Sequence, residues 1–316
     1  MAIYLKLLTI NLKDEKTQSK KMNNMKKTHI TILFLLICSG SYGQLNPLAT
    51  QYFNNRYLGN PAHAGMGDGL NINMNYRRQW TNVPGSPELQ NLALDYGMKK
   101  AGLGLNINLD RAGLQRQTRV VGSYAYHLPL NKAGHELSFG VSLGYMDQRL
   151  SSADISGNPN DPLAMRYNDR EGYVDGDFGV AYTTGRFNLE ASLPNLNFLF
   201  KRSVLRTADI PTFYTAVSYR LALTGGLEDV GIEPRLAYRG VKGFDNVLDL
   251  GANVSFANQQ VMLMGMYHSS KSASFGIGVD LKKRYLVSGA YTTQTSQLSN
   301  YTNGSFEISL KLRVGK

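Results

Sequence analysis

The chain has 316 residues with 34 Lys and Arg against 23 Asp and Glu, a formal net charge of +11, and a single cysteine. The basic residues are scattered rather than blocked, which argues against a nucleic-acid stripe, and one cysteine cannot build a disulfide framework or a thiolate metal site. Residues 1–24 are polar and lysine-rich and read as a start-site overcall. From Met25 the text MKKTHITILFLLICSGSYGQ has a basic n-region, an apolar h-region from Ile30 to Ile37 and the small-x-small run Ser41-Tyr42-Gly43. That is the grammar of a signal peptide over 25–43, with the mature chain starting at Gln44 and exported. Cys38 follows Ile37 where a lipobox needs a small residue, so it reads as an h-region residue. The leader 1–43 holds seven lysines against Asp14 and Glu15, so the charge without it falls to +6.

Residues 44–66 carry Pro47 and Pro61 and no sustained period, and are expected to form an ordered or folding-back N-terminal segment on the periplasmic side. The rest of the chain, 67–316, is organised around the strand that follows. In NPAHAGMGDGLNINMNYRRQW, Leu70, Ile72, Met74 and Tyr76 alternate with Asn71, Asn73, Asn75 and Arg77. Successive strand side chains point to opposite faces, so one face is apolar and the other carries amides and a cation. The pattern recurs at Leu92 to Tyr96, Leu103 to Leu109, Val120 to Leu128, Leu137 to Tyr145, Phe178 to Tyr182 and Phe187 to Leu193. It continues at Phe213–Leu221, Ile232–Tyr238, Leu248–Phe256, Val261–Tyr267, Phe275–Leu281, Tyr285–Tyr291 and Phe306–Val314. That is about 14 strands, near the ~9–11 residues that a tilted membrane strand needs, with no helix carrying a 3.6-residue stripe and, after the leader, no run of ~18 apolar residues.

A secreted soluble β-sandwich also explains alternation. Three features favour the membrane. Connections alternate between long ones (TNVPGSPE, 150–174, 194–211) and short ones (97–102, 129–134, 184–186, 282–284), as in barrels with short periplasmic turns and long external loops. The second faces are rich in Gly, Ser and Asn, costly in a dry core and natural beside lumen water. The 19 tyrosines cluster toward strand ends, where an interfacial girdle sits. The expected fold is therefore all-β, a transmembrane antiparallel up-and-down barrel in the outer membrane, in contact with its lipid.

No catalytic centre, cofactor site or metal site is expected. His63, His127, His135 and His268 have no hydrolytic signature around them, although a barrel enzyme would need Ser, His and an acid or amide to converge. Asp154, Asp161, Asp169, Glu171, Asp175 and Asp177 read as a solvated acidic loop whose spacing matches no calcium loop; Gly65, Gly67 and Gly69 precede no helix and cradle no phosphate. Two sets are singled out. Phe198, Leu199, Phe200, Lys201 and Arg202, with Arg206, are an apolar cluster flanked by cations in an external loop, suited either to docking a secreted partner or to plugging the lumen. Arg77, Asp95 and Asp110 are candidate polar residues of the lumen.

The succession of segments resembles a known family. QYFNNRYLGNPAHAG, the strand with YRRQW, GSPELQNLALD, LGLNINLDRAG, YAYHLPL with HELSFGVSLGY, NLEASLPNL and TQTSQLSNYTNGSFEISLKL are similar, in this order, to the PorP/SprF outer-membrane proteins of the Bacteroidetes type IX secretion system. The chain departs from that family in ending Leu312-Arg313-Val314-Gly315-Lys316 rather than in an aromatic residue. The resemblance implies a non-enzymatic barrel that assists secretion or surface anchoring of adhesins or enzymes bearing a C-terminal sorting domain, with links to gliding. It implies as partners that cargo, other type IX components and a periplasmic peptidoglycan-binding protein. A passive pore or small-molecule transporter is the alternative for a barrel of this size.

Overall fold

The computed structural model describes residues 50–151, 162–197, 211–223, 230–241, 245–294 and 302–315. The leader 1–43, the docking candidates Phe198, Leu199, Phe200, Lys201 and Arg202, and also Arg206, Asp154 and Asp161 lie outside these residues. Fifteen strands pair into one sheet. They are β1 (Gly69–Gln79), β2 (Glu88–Met98), β3 (Ala101–Ala112), β4 (Gln115–Pro129), β5 (Glu136–Leu150), β6 (Tyr173–Thr183), β7 (Phe187–Leu193), β8 (Pro211–Tyr219), β9 (Leu221–Leu223), β10 (Val230–Val241), β11 (Val247–Phe256), β12 (Val261–His268), β13 (Ser272–Leu281), β14 (Tyr285–Thr292) and β15 (Ser305–Val314). β8 and β9 both pair with β10 and are parted only at Arg220, so together they make one stave and the barrel has 14. β15 pairs with β1 and β10 with β11, closing the sheet with every ladder antiparallel and no free edge.

The alternation decides which face looks where. On β1, Asn71, Asn73, Asn75 and Arg77 are buried, while Met74 and Tyr76 remain 39% and 40% exposed on the outer wall. The same division holds for Leu103 and Leu105 against Asn106, and for Val141, Leu143 and Tyr145 against Ser142. An apolar exterior around a polar interior, with all backbone groups paired between strands, is the arrangement that a bilayer permits.

β1 starts and β15 ends at the end where the turns are short: two residues between β2 and β3, three between β6 and β7, three between β13 and β14. The opposite end carries the 80–87, 151–172 and 194–210 connections, so it is the external end by the usual asymmetry of outer-membrane barrels. Two hairpins there are short, 113–114 and 269–271, so the alternation of lengths is not strict. The 151–172 connection contains a helix, α1 (Pro162–Asn168), which periodicity missed because seven residues carry no apolar stripe. Proline opens it, and the Asn168 side chain fastens its end to the β5 terminus, accepting from Leu150 N at 2.7 Å and donating to Leu150 O at 2.9 Å.

β6 begins earlier than the acidic-loop reading placed it. Asp175 and Asp177 are strand residues facing inward, where Arg119 of β4 donates to both, at 3.2 and 2.7 Å. Their two-residue spacing puts both on the polar face, and the cation two strands away on the same wall makes that face tolerable.

Candidate functional site

The interior is occupied by the chain's own N-terminal segment. Residues 50–66 run through the lumen as two short 3-10 turns, Arg56–Leu58 and Pro61–His63, linked by irregular backbone. Asn60 caps the second turn by accepting from Ala62 N at 2.9 Å, and Pro61 takes the first position, where no amide hydrogen is needed. Thr50, Gln51, Tyr52, Asn55, Tyr57, Asn60, Ala62, His63 and Ala64 are all buried. The segment expected on the periplasmic side thus has its described part, residues 50–66, inside the barrel. Its polar side chains and broken period suit a lumen lined by amides and charges better than a free tail.

Contacts reach almost every side of the wall. Tyr52 donates to Asp249 of β11 at 2.7 Å, Gln51 to Glu307 of β15 at 2.5 Å, and Asn54 to Ser288 of β14 at 3.2 Å. Thr50 N donates to Glu307 at 3.0 Å, and Lys311 donates to the Asn54 carbonyl at 3.1 Å. Tyr57 meets Ser123 of β4 at 2.8 Å, and His127 Nε2 donates to the Ala64 carbonyl at 3.0 Å. Arg56 pairs with Glu233 of β10, and His63 with Glu190 of β7. Burial pushes the Tyr57 hydroxyl up to about 12 and raises Tyr52 well above its usual range, the neighbouring Asp249 adding to the second effect. Both phenols are therefore held as neutral donors.

The wall makes room by shedding side chains. A Cβ at Gly140 of β5 would overlap the backbone of Pro61 and Ala62, and one at Gly102 of β3 would overlap the Ala64 carbonyl. Tyr57 packs with Ala64 of the plug and with Ala93 and Ala125 of the wall, and Tyr52 with Tyr214, Ala216, Ala237 and Met266.

Charge is concentrated on the β7–β12 side. Glu190 takes the Arg235 guanidinium as well as His63, and Arg235 also donates to the Tyr214 hydroxyl at 2.9 Å. Asp249 accepts from Arg239 Nε at 2.9 Å and bonds His268 Nδ1 at 2.6 Å, while His268 Nε2 meets Ser274 Oγ at 2.9 Å. Asp249, His268 and Ser274 thus form the Ser–His–acid chain that no local signature disclosed. They come from three adjacent strands whose register sets Asp249 opposite His268 and His268 opposite Ser272. The three are buried beneath Tyr52, and Ser274 is also bonded to Thr292 at 2.7 Å, so the set fastens the plug to the wall and presents no open approach to its hydroxyl.

Of the expected lumen residues, Arg77 and Asp95 are buried and Asp110 is half-buried on the inner face of β3. Asp95 accepts from Asn71 at 3.1 Å and Arg77 donates to Ser305 at 3.5 Å. The residues that do most to hold the plug, Glu190, Asp249, Glu233 and Glu307, were not singled out from sequence. Their inward strand parity was the available signal. Among the described residues no group of three His, Cys, Asp or Glu is arranged to hold a metal ion.

The chain is similar to the Acinetobacter baumannii outer membrane protein Omp33 (9% identity, TM-score 0.46, covering 79% of this chain and 99% of that one). It is also similar to the Ralstonia pickettii toluene transporter TbuX (11%, 0.48, 87% and 95%) and the P. putida toluene transporter TodX (10%, 0.46, 89% and 97%). No curated protein matches. Residues 41–312 match the family model described as type IX secretion system membrane protein PorP/SprF. With a closed, lipid-facing barrel spanning the matched region, the chain belongs to the PorP/SprF family of type IX secretion system membrane proteins and resides in the outer membrane.

Proposed function

We propose that this barrel acts as a closed, non-enzymatic component of type IX secretion that assists the export or surface anchoring of sorting-domain cargo, with other type IX components as its neighbours. The observation that carries this reading is the plug. Residues 50–66 cross the lumen and are bonded to β4, β7, β10, β11, β14 and β15, which suits a scaffold better than a diffusion channel. The external end, with its 151–172 and 194–210 connections, is the side offered to cargo, and Phe198, Leu199, Phe200, Lys201 and Arg202 are its proposed docking cluster. A periplasmic peptidoglycan-binding protein is the proposed further partner and, through it, a link to gliding. Arg77, Asp95 and Asp110 serve as internal polar lining.

The test is a comparison of surface and culture-fluid proteins between the parent strain and one lacking the gene. Selective loss of a few sorting-domain proteins is expected, and Phe198→Ala with Phe200→Ala is expected to reproduce it with the barrel intact. An unchanged secretome, together with steady ion conductance of the purified protein in planar bilayers, would overturn the proposal in favour of a pore.

A further inference from the structure

Cations gather on the rim at the short-turn, periplasmic end. Lys282, Lys283 and Arg284 form the turn between β13 and β14, Lys99 and Lys100 form the one between β2 and β3, and Lys132 lies in the one between β4 and β5. All six are exposed, and among the described residues none of them has a side-chain hydrogen bond or ion pair. The three turns are set along six consecutive strands, β14, β15 and β1 to β4, which at about 4.8 Å per strand make an arc of roughly 30 Å. The described acids on this part of the rim are Asp68, which is exposed, and Glu136, which accepts from Ser138 at 3.2 Å and faces His127. Arg313 and Asp280 balance each other inside the lumen. Six cations against Asp68 and Glu136 leave a net charge of +4. Elsewhere on this rim the 257–260 turn is uncharged. Glu228 and Asp229 belong to the 224–229 connection, which lies outside the described residues and joins β9 to β10, four strands from either end of the arc.

The backbone of these turns adds a second observation. Lys282 and Lys283 both have positive φ, 56° and 55°, and Lys99 has a φ of 29°. This is the left-handed region, which glycine and asparagine occupy at little cost and a lysine side chain disfavours. A turn that had only to reverse the chain would be best served by Asn-Gly, so lysine there keeps a side chain against the preference of the backbone. The wall fixes the depth of the charge. Leu281 and Tyr285 flank the β13–β14 turn, Met98 directly precedes Lys99, and Leu128 is the last outward residue of β4 before Lys132; all four are exposed on the lipid-facing side. The cations thus begin where the apolar band ends, and their flexible stems reach from its edge to the headgroups beside it. A surface for a protein standing in the periplasm would carry its charge on projecting loops, whereas the β2–β3 and β13–β14 turns are two and three residues long and stay close to the bilayer.

We propose that this basic arc binds the phosphates of anionic phospholipids in the periplasmic leaflet of the membrane. The test uses the full chain in detergent micelles, with cardiolipin titrated in and bound lipid read by native mass spectrometry. Lys282→Asn with Lys283→Gly removes two cations and gives the turn the residues its backbone prefers. Cardiolipin binding is expected to weaken roughly ten-fold or more. The melting temperature in lipid-free micelles is expected to hold or rise, which a purely structural role for the lysines would not produce. Lys99→Gln with Lys100→Gln is expected to weaken binding to a similar degree, and it carries the test alone if the Asn-Gly variant does not fold. The control is Lys271→Asn, which removes a lysine of the same left-handed conformation, φ 63°, from the 269–271 hairpin at the external end; it is expected to bind as the parent does. Phosphatidylethanolamine, which has no net charge, is expected to bind weakly to the parent and to every variant. Unchanged cardiolipin binding in either pair variant, as a face suited to an acidic protein would leave it, would overturn the proposal. So would an equal loss in Lys271→Asn, or phosphatidylethanolamine bound by the parent as tightly as cardiolipin.

Discussion

The plug and the wall share one carboxylate, Glu190, and its removal gives the sharpest measurement of how the lumen is held. Its side chain and that of Arg235 are each 1% exposed, and His63 of the plug binds the other oxygen. Arg235 Nε and Nη1 have no hydrogen-bond partner among the described residues, so its bonds run through Nη2 to Glu190 and Tyr214. Removing one member of a buried ion pair costs about 3–5 kcal/mol because the other charge is stranded, whereas replacing both by apolar residues of similar volume is often neutral. Glu190→Met is therefore expected to lower the unfolding free energy by about 3–5 kcal/mol, and Arg235→Met by less, because His63 still faces Glu190. The double variant is expected to recover most of the loss, giving a coupling of about 2–3 kcal/mol in a double-mutant cycle. Urea unfolding of the barrel in phospholipid vesicles, followed through the single tryptophan, Trp80, measures all four corners. A coupling below about 0.5 kcal/mol would refute the view that these charges depend on each other.

Gly140→Val is expected to dislodge the plug, since the added carbons occupy the path of Pro61 and Ala62; the readout is ion conductance absent from the parent, and a silent variant with unchanged stability would count against the close approach. Arg119→Gln leaves Asp175 and Asp177 facing each other without their cation and is expected to cost about 3–5 kcal/mol, with Asp177→Asn restoring part of it in the same unfolding assay. Tyr57→Phe removes the bond to Ser123, worth about 1 kcal/mol. It should also remove one phenolate titration near pH 12 from the alkaline absorbance difference spectrum. Because burial raises the Tyr57 pKa, its stabilisation is complete below pH 10 and is lost as pH rises through about 12; a difference titration centred at 10 would show instead that water reaches the ring.

Alternation is a local property, and it alone determined the class of the fold. Leu70, Ile72, Met74 and Tyr76 had to share a face opposite Asn71, Asn73, Asn75 and Arg77 whatever the tertiary structure, because a strand has a period of two. Strand parity also assigned Arg77, Asp95 and Asp110 to the interior. Parity cannot say what meets what across the lumen. The pairing of His63 with Glu190, 127 residues apart, of Gln51 with Glu307, 256 apart, and of Tyr52 with Asp249, 197 apart, exists only once the barrel closes around its own N-terminal segment. That segment has no period because its side chains match an irregular cavity rather than a sheet, so nothing local announced its place inside. Register decided the rest: Asp249, His268 and Ser274 became neighbours through hydrogen-bond ladders whose alignment no single strand encodes.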